Sequence, residues 1–254
     1  MRILVTNDDG IHSVGIRMLA DALKEQGHEV SVFAPASQKS ACSQSLSVHS
    51  DFTVKELEWE GMNRVVAVDG TPSDCVKFAL KYVGIKPDLV VSGPNEGSNL
   101  GTDVMYSGTV AGAMEGVICG YKAIAISQCG KSHISPERLI RFFINNFDTL
   151  LRFEKQGSML NVNFPDTEEV LGVKIAKTGI ISYRDYYEVR ETDGVRSYRL
   201  KGSPVLKEED DEDCDVKFAQ RGYITVSPIK MDRTDYDELE RMTGAERLFG
   251  TEDL

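Results

Sequence analysis

One pattern restricts this chain more than any other: short apolar, β-branched runs alternate with stretches whose apolar residues recur at i, i+3, i+4 and i+7. The run at 3–6 is followed by the stripe Ile16, Leu19, Ala20 and Leu23. The same spacing returns in Val76, Ala79, Leu80 and Val83, in Val110, Ala113, Met114 and Val117, and in Ile140, Phe143, Ile144 and Phe147. Between the stripes lie strand-like runs at 29–33, 64–68, 88–92 and 123–127. A strand that returns parallel to its neighbour needs a crossover, and a helix supplies it, so the pattern predicts a doubly wound, mainly parallel α/β sheet with helices on both faces. Helix starts agree. Thr71-Pro72-Ser73-Asp74 offers a cap, a proline at the first helical position and an acid at the third, and Ser135-Pro136-Glu137 repeats the cap and proline. Open sheets of this kind bind ligands beyond the carboxyl ends of their strands, so chemistry is expected in those loops.

Beyond residue 150 the pattern changes. Leu160, Val162 and Phe164 alternate with Asn161 and Asn163, as in a strand with unlike faces. Residues 183–200 form a hairpin pattern about Asp193-Gly194, a dipeptide suited to a type I′ turn. Folding there sets Glu191 against Arg196, Glu188 against Arg199, Val189 against Tyr198 and Tyr187 against Leu200. A two-stranded ribbon is marginal alone, so its apolar face is expected to pack on something, as a protein–protein arm spanning 180–202. Residues 207–215 hold seven acids and one base and are expected to be a solvated loop. A short helix at 216–220, a strand at 223–227 and a last helix capped within 234–237 complete the expectation.

Four strand-end segments carry groups capable of chemistry. Asn7-Asp8-Asp9-Gly10 follows the first strand. Adjacent carboxylates repel by about 4 kcal/mol at 4 Å and an effective dielectric near 20, and a divalent cation relieves this. Hard oxygen ligands favour Mg²⁺, Mn²⁺ or Ca²⁺ over zinc. The alternative is that Asp8 caps the next turn while Asp9 faces water. The segment 92–101 is rich in Gly and Asn, lets backbone approach a ligand closely, and heads a connection of about 15 residues, a length that in a compact domain is usually functional. Ser107-Gly108-Thr109 opens a helix, where free N–H groups and the helix dipole favour an anion; an ordinary N-cap is the competing reading. Ser40-Ala41-Cys42-Ser43-Gln44-Ser45-Leu46-Ser47 is, taken alone, a serine-rich loop. Neither a Walker-type phosphate loop nor a strand-linked G-x-G-x-x-G occurs, so ATP and dinucleotide folds are not supported.

Composition removes other classes. With 29 Lys and Arg against 40 Asp and Glu the net charge is −11, and no basic cluster offsets it, which argues against duplex nucleic acid as a partner. Five cysteines, odd in number and without a C-x-x-C pair, indicate neither a disulfide framework nor a zinc knuckle. The N-terminus is too acidic for a signal peptide, and no run approaches the roughly 20 apolar residues of a membrane helix. The expectation is a cytoplasmic protein with no membrane contact, folded as one α/β domain over 1–254.

Taken in order, Val5-Thr6-Asn7-Asp8-Asp9-Gly10, Ser40-Ala41, Gly70-Thr71-Pro72-x-Asp74-Cys75, Ser92-Gly93-x-Asn95-x-Gly97-x-Asn99-x-Gly101 and Tyr106-Ser107-Gly108-Thr109-Val110 resemble the SurE survival-protein family of metal-dependent nucleotidases. Asp213-x-Asp215 and Gly222-Tyr223-Ile224-Thr225-Val226-Ser227-Pro228 extend the likeness to nearly the whole chain. The resemblance implies a Rossmann-like sheet with a C-terminal β-hairpin extension. It implies one divalent metal ion held by Asp8, Asp9, Ser40 and Asn95, phosphate held by Ser107, Gly108 and Thr109, and catalysis by the Asp8/Asp9 pair. The implied reaction is hydrolysis of nucleoside 5′- and 3′-monophosphates, with some action on short polyphosphate. The implied assembly is a dimer or tetramer that exchanges the hairpin. Pro94 stands where that family often has a branched apolar residue. Two other classes use a similar frame: a non-catalytic nucleotide sensor, and a phosphoacceptor receiver domain. The latter needs about half this length.

Overall fold

The computed structural model describes residues 1–130, 136–205 and 212–245. Its sheet contains β1 (Arg2–Thr6), β2 (Glu29–Pro35), β3 (Val54–Leu57), β4 (Arg64–Val68), β5 (Leu89–Glu96), β6 (Ala123–Gln128), β7 (Ser158–Phe164), β8 (Gly172–Ile175) and a further strand, Tyr223–Lys230. The hairpin strands β9 (Ser182–Thr192) and β10 (Val195–Val205) precede that last strand, which is therefore β11. Strand order is β3-β4-β2-β1-β5-β6-β7-β11-β8. The six strands from β4 to β7 are parallel, β3 and β11 run antiparallel to their neighbours β4 and β7, and β8 is parallel to β11.

The chain builds outward from β1 to β2 and β4, then returns to β5 and builds the other way. The reversal falls between β1 and β5, and at such a switch point the two loops diverge and leave a crevice. Helices α1 (Val14–Glu25), α4 (Glu137–Asn145) and α5 (Phe147–Phe153) bury Leu19, Leu23, Phe143 and Phe147 on one face of the sheet. On the other, α2 (Pro72–Lys77) and α3 (Gly108–Ile118) bury Val76, Ala113 and Val117 against Leu4, Phe33 and Val90. The doubly wound expectation holds. So does the capping box at α2: Thr71 Oγ1 accepts from Asp74 N at 3.1 Å while Asp74 Oδ2 accepts from Thr71 N at 2.9 Å.

The hairpin follows the expected register pair for pair, and Asp193 and Gly194 take φ of 52° and 76°, as a type I′ turn requires. Helices α6 (Asp215–Gln220) and α7 (Tyr236–Met242) lie close to their expected places, with Asp235 capping α7 through Glu238 N at 3.0 Å.

Several details differ from expectation. The stripe ending at Val83 is helical throughout but π-wound over Phe78–Val83. The stripe from Ile140 to Phe147 is broken: Asn146 turns its Nδ2 onto Phe142 O at 2.9 Å, and this side-chain bond competes with continuation of the helix. Strands β3 and β8 were not expected; both are mostly exposed edge strands whose charges hide the alternation. In the acidic run, Asp215 is fully buried rather than solvated, accepting from Gly101 N at 3.0 Å and from Gly179 N and Val216 N at 2.8 Å each. Residues 207–211 of that run, and the Ser135 cap, lie outside the described residues. Among the described residues no helix is long and apolar enough to cross a membrane.

Candidate active site

Asp8 and Asp9 end β1 at the switch point. Asn7 shapes the loop that carries them: its Oδ1 accepts from Gly10 N at 3.2 Å, and its Nδ2 donates to Gly10 O at 3.1 Å and Ser13 Oγ at 2.9 Å. Gly10 takes φ 97°, a conformation side chains disfavour. Both the capping and the cation readings of the Asp pair required the side chains to be placed. The Asp8 carboxylate meets its own backbone amide, and beyond that each carboxylate reaches a different segment of the fold.

The Asp8 carboxylate accepts from the Thr109 hydroxyl in the first turn of α3. Its backbone carbonyl accepts from Lys39 N at 2.7 Å, which brings the segment holding Ser40 to the same strand end. Asp9 Oδ2 accepts from Glu96 N at 3.0 Å, and its Oδ1 from Gln38 Nε2 at 3.3 Å. Ser43 N donates to Tyr106 O at 2.9 Å, clipping the serine-rich loop to the turn before α3. Segments 7–10, 38–43, 95–96 and 106–109 are thus joined by hydrogen bonds around the carboxylate pair. Gln38 was missed by sequence reasoning, pointed to only by its nearness to Ser40, and Asn7, though part of the motif, was given no role of its own.

The 92–101 segment differs from the open loop expected of it. Strand β5 continues to Glu96, and its pairing with β6 passes from Ser92↔Ala125 to Asn95↔Ser127, so one extra residue is bulged on β5. Bulges re-aim side chains beside active sites, and this one presents Asn95 at the strand's end. Gly93 makes it possible: its φ is 127°, and a Cβ there would sit 2.3 Å from Ile126 O. Asn95 Nδ2 donates to Gly97 O at 2.8 Å, which fixes the amide with its oxygen turned away from that bond. Much of the remaining connection to α3 is a 3₁₀ turn, Gly101–Met105, so it is shorter and more ordered than a 15-residue loop.

At the mouth of α3, Ser107 Oγ accepts from Val110 N at 3.0 Å, the ordinary N-cap bond. That leaves its hydroxyl proton to donate, together with the first amides of α3, which have no acceptor within the helix; the Thr109 amide is turned toward the Asp8 carboxylate. Gly108 is tight against the pair: a Cβ there would lie 2.9 Å from Asp8 Cβ and 2.8 Å from Cys42 Sγ. Only glycine lets the helix N-terminus approach the carboxylates this closely.

The electrostatics fit a cation. Burial raises the Asp8 carboxyl to about 6, with the charge of Asp9 adding and the Thr109 hydrogen bond opposing. Burial also raises Asp9, with the Glu96 amide opposing and the Glu96 carboxylate adding. The four residues expected from the sequence to hold a metal offer oxygen only: two carboxylates, an amide oxygen on Asn95 and a hydroxyl on Ser40. The residues present suit a hard divalent ion.

Comparison with known proteins agrees with the geometry. The family description "Survival protein SurE" matches residues 3–185. The chain is 38% identical over 242 residues to a 5′-nucleotidase SurE of Thermoanaerobacter sp. (strain X514), covering 93% of this chain and 95% of the relative. It is 39% identical over 248 residues to a 5′-nucleotidase SurE of Pelotomaculum thermopropionicum (strain DSM 13744 / JCM 10971 / SI), covering 95% and 94%. The crystal structure of the SurE protein from Aquifex aeolicus superposes with a TM-score of 0.79 at 34% identity, covering 95% of this chain and 98% of that one. A family model matching most of the chain and relatives 38–39% identical over nearly all of it show that this chain belongs to the SurE survival-protein family.

Proposed function

We propose that this chain is a 5′-nucleotidase: a divalent-metal-dependent phosphomonoesterase that cleaves nucleoside 5′-monophosphates to nucleoside and phosphate, and also accepts 3′ esters and short polyphosphate. The observation that carries the reading is the junction of the Asp8/Asp9 pair with the first turn of α3 through Thr109, and with the end of β5 through Glu96. Asp8, Asp9, Ser40 and Asn95 hold the metal, Mg²⁺ or Mn²⁺, with Ca²⁺ able to occupy the same ligands. When bound, such an ion supplies Lewis acidity toward a phosphoryl oxygen and lowers the pKa of water.

The protein's own groups do the rest. The Ser107 hydroxyl and the Gly108 and Thr109 amides bind the phosphoryl oxygens and offset the charge that spreads over them in the transition state, a role in which fixed dipoles supply most of the rate. The carboxylate of Asp8 or Asp9 accepts the proton of a water attacking in line with the leaving oxygen. In a protein of net charge −11, capture of an anionic ester depends on these local donors rather than on the long-range field. The 180–202 arm mediates a homodimer or homotetramer, since Tyr187, Val189, Tyr198 and Leu200 are each more than half exposed on a two-stranded sheet of its own.

The test is inorganic phosphate release from a panel of nucleoside monophosphates with Mg²⁺ or Mn²⁺ and with chelator. Metal-dependent release is expected; nucleotide binding without release would make the protein a sensor.

A further inference from the structure

The hairpin arm forms a sheet of its own, and its entry is fastened to the turn that leads into α3. The fastening runs residue by residue. Asp215 accepts from Gly101 N at 3.0 Å through Oδ2 and from Gly179 N at 2.8 Å through Oδ1, so one buried carboxylate holds both segments. Thr102 Oγ1 accepts from Ile181 N at 2.9 Å, and the Tyr183 hydroxyl donates to Asp103 Oδ2 at 2.6 Å. Residues 101, 102 and 103 of the turn thus meet 179, 181 and 183, every second residue of the segment that enters β9.

Behind that contact, the carbonyl of Asp103 accepts from Tyr106 N and from Ser107 N, each at 3.0 Å, and Ser107 is the cap of α3. Asp103 therefore faces the arm with its side chain and holds the opening residue of the proposed phosphate cradle with its backbone. Tyr183 is 40% exposed and Asp103 half-buried, so of the three fastenings theirs can be altered without opening the core.

We infer that Asp103 and Tyr183 are positioning residues for phosphate binding; the inference rests on the nucleotidase reading. Their bond locks the Gly101–Met105 turn against the arm, and the turn sets where Ser107 and the first amides of α3 stand. Both side chains act through Ser107 rather than on the ester. Once the bond is lost, the cradle is set in only a fraction of the molecules, and the apparent affinity for an anion falls by that fraction. The proposed metal ligands come from other segments, at 8–9, 40 and 95, so affinity for the ion is expected to stay as it is.

The test measures inhibition by inorganic phosphate and KM for p-nitrophenyl phosphate, both at saturating Mn²⁺, beside Mn²⁺ affinity without phosphate. Tyr183→Phe removes the hydroxyl alone, and Asp103→Ala removes its acceptor. Each is expected to raise the inhibition constant and KM by about threefold to tenfold, with kcat within about twofold of native and Mn²⁺ affinity unchanged. Asp103→Asn keeps an acceptor oxygen for the hydroxyl and should stay near native. The double variant Tyr183→Phe/Asp103→Ala should be no weaker than either single one, because both changes remove the same bond. Phosphate affinity unchanged in both single variants, Mn²⁺ affinity lost in step with it, additive losses in the double variant, or a loss in Asp103→Asn equal to that in Asp103→Ala overturns the positioning role and leaves the nucleotidase intact. Absence of phosphate release by the native protein overturns the nucleotidase reading, and this inference with it.

Discussion

Asp8 and Asp9 are neighbours in sequence with different surroundings. Asp8 is buried against α3, and Asp9 is half-buried against the end of β5. On the proposed ligand set, Asp8→Asn and Asn95→Ala each remove one metal ligand, so metal-dependent hydrolysis of p-nitrophenyl phosphate is expected to drop by roughly 100-fold or more with an unchanged circular dichroism spectrum. Turnover close to native in either variant would reject the ligand assignment. Ser107 has two duties. Ser107→Ala should raise KM for phosphate esters and, by removing the α3 cap, lower stability by about 1 kcal/mol, a Tm shift of about 2–4 °C. A third residue-scale consequence concerns the loop between β2 and β3. Ala41 takes φ 54° and Ser43 φ 52° on either side of Cys42, left-handed conformations that cost non-glycine residues about 1 kcal/mol or more. Ala41→Gly is expected to raise the urea midpoint, by about 0.5–1 kcal/mol in stability; a lower midpoint contradicts the strain.

At the scale of elements, the legible features are those in which side-chain period and local chemistry agree. The stripes at Ile16–Leu23 and Val110–Val117, the Thr71 box and the Asp193-Gly194 turn each specify their element by short-range sequence and form as specified, whereas the stripe ending at Val83 becomes π-wound and the one from Ile140 to Phe147 breaks at Asn146. The bulge in β5 is not legible, because it depends on Gly93 meeting Ile126 across a strand pair far apart in sequence. The burial of Asp215 is likewise invisible in an acidic run; three amides from segments at 101, 179 and 216 create its niche. Glu154 is a similar case. At the end of α5 it accepts from Leu160 N at 3.1 Å and Ala123 N at 3.4 Å, and burial raises its carboxyl to about 7. Because the folded state holds this proton more tightly than the unfolded chain, Glu154 costs nothing below about pH 4.5 and its ionisation destabilises the fold progressively as pH rises toward 7. Glu154→Gln is therefore expected to gain on the order of 1 kcal/mol above pH 7, discounted for its partial exposure, and to lose that gain near pH 4. Thermal melts across that range check it; a gain independent of pH contradicts it.

For the whole molecule, the sheet order explains why the site is where it is. The chain reverses between β1 and β5, so the loops bearing Asp8, Asp9 and Asn95 face one crevice, and α3 returns its N-terminus to the same place. That convergence was foreseeable from alternation alone, since parallel crossovers put loops at strand carboxyl ends. Which residues meet was not foreseeable from periodicity; it came from the order of motifs shared with the family. The hairpin belongs to this scale too. On the proposed role of the arm, the native protein is expected to be a dimer or tetramer by light scattering and a variant with 184–200 replaced by a short Gly-Ser turn a monomer; an unchanged mass rules out the arm as the contact.

The central claim is that separate loops close around one divalent ion. It is tested most directly by Mn²⁺ titration of the native protein and of the Asp8→Asn and Asn95→Ala variants, followed by calorimetry or by the paramagnetic resonance of free Mn²⁺. One ion bound per chain, with affinity weakened by about tenfold or more in each variant, is the predicted result. Equal Mn²⁺ affinity in all three proteins would contradict the claim.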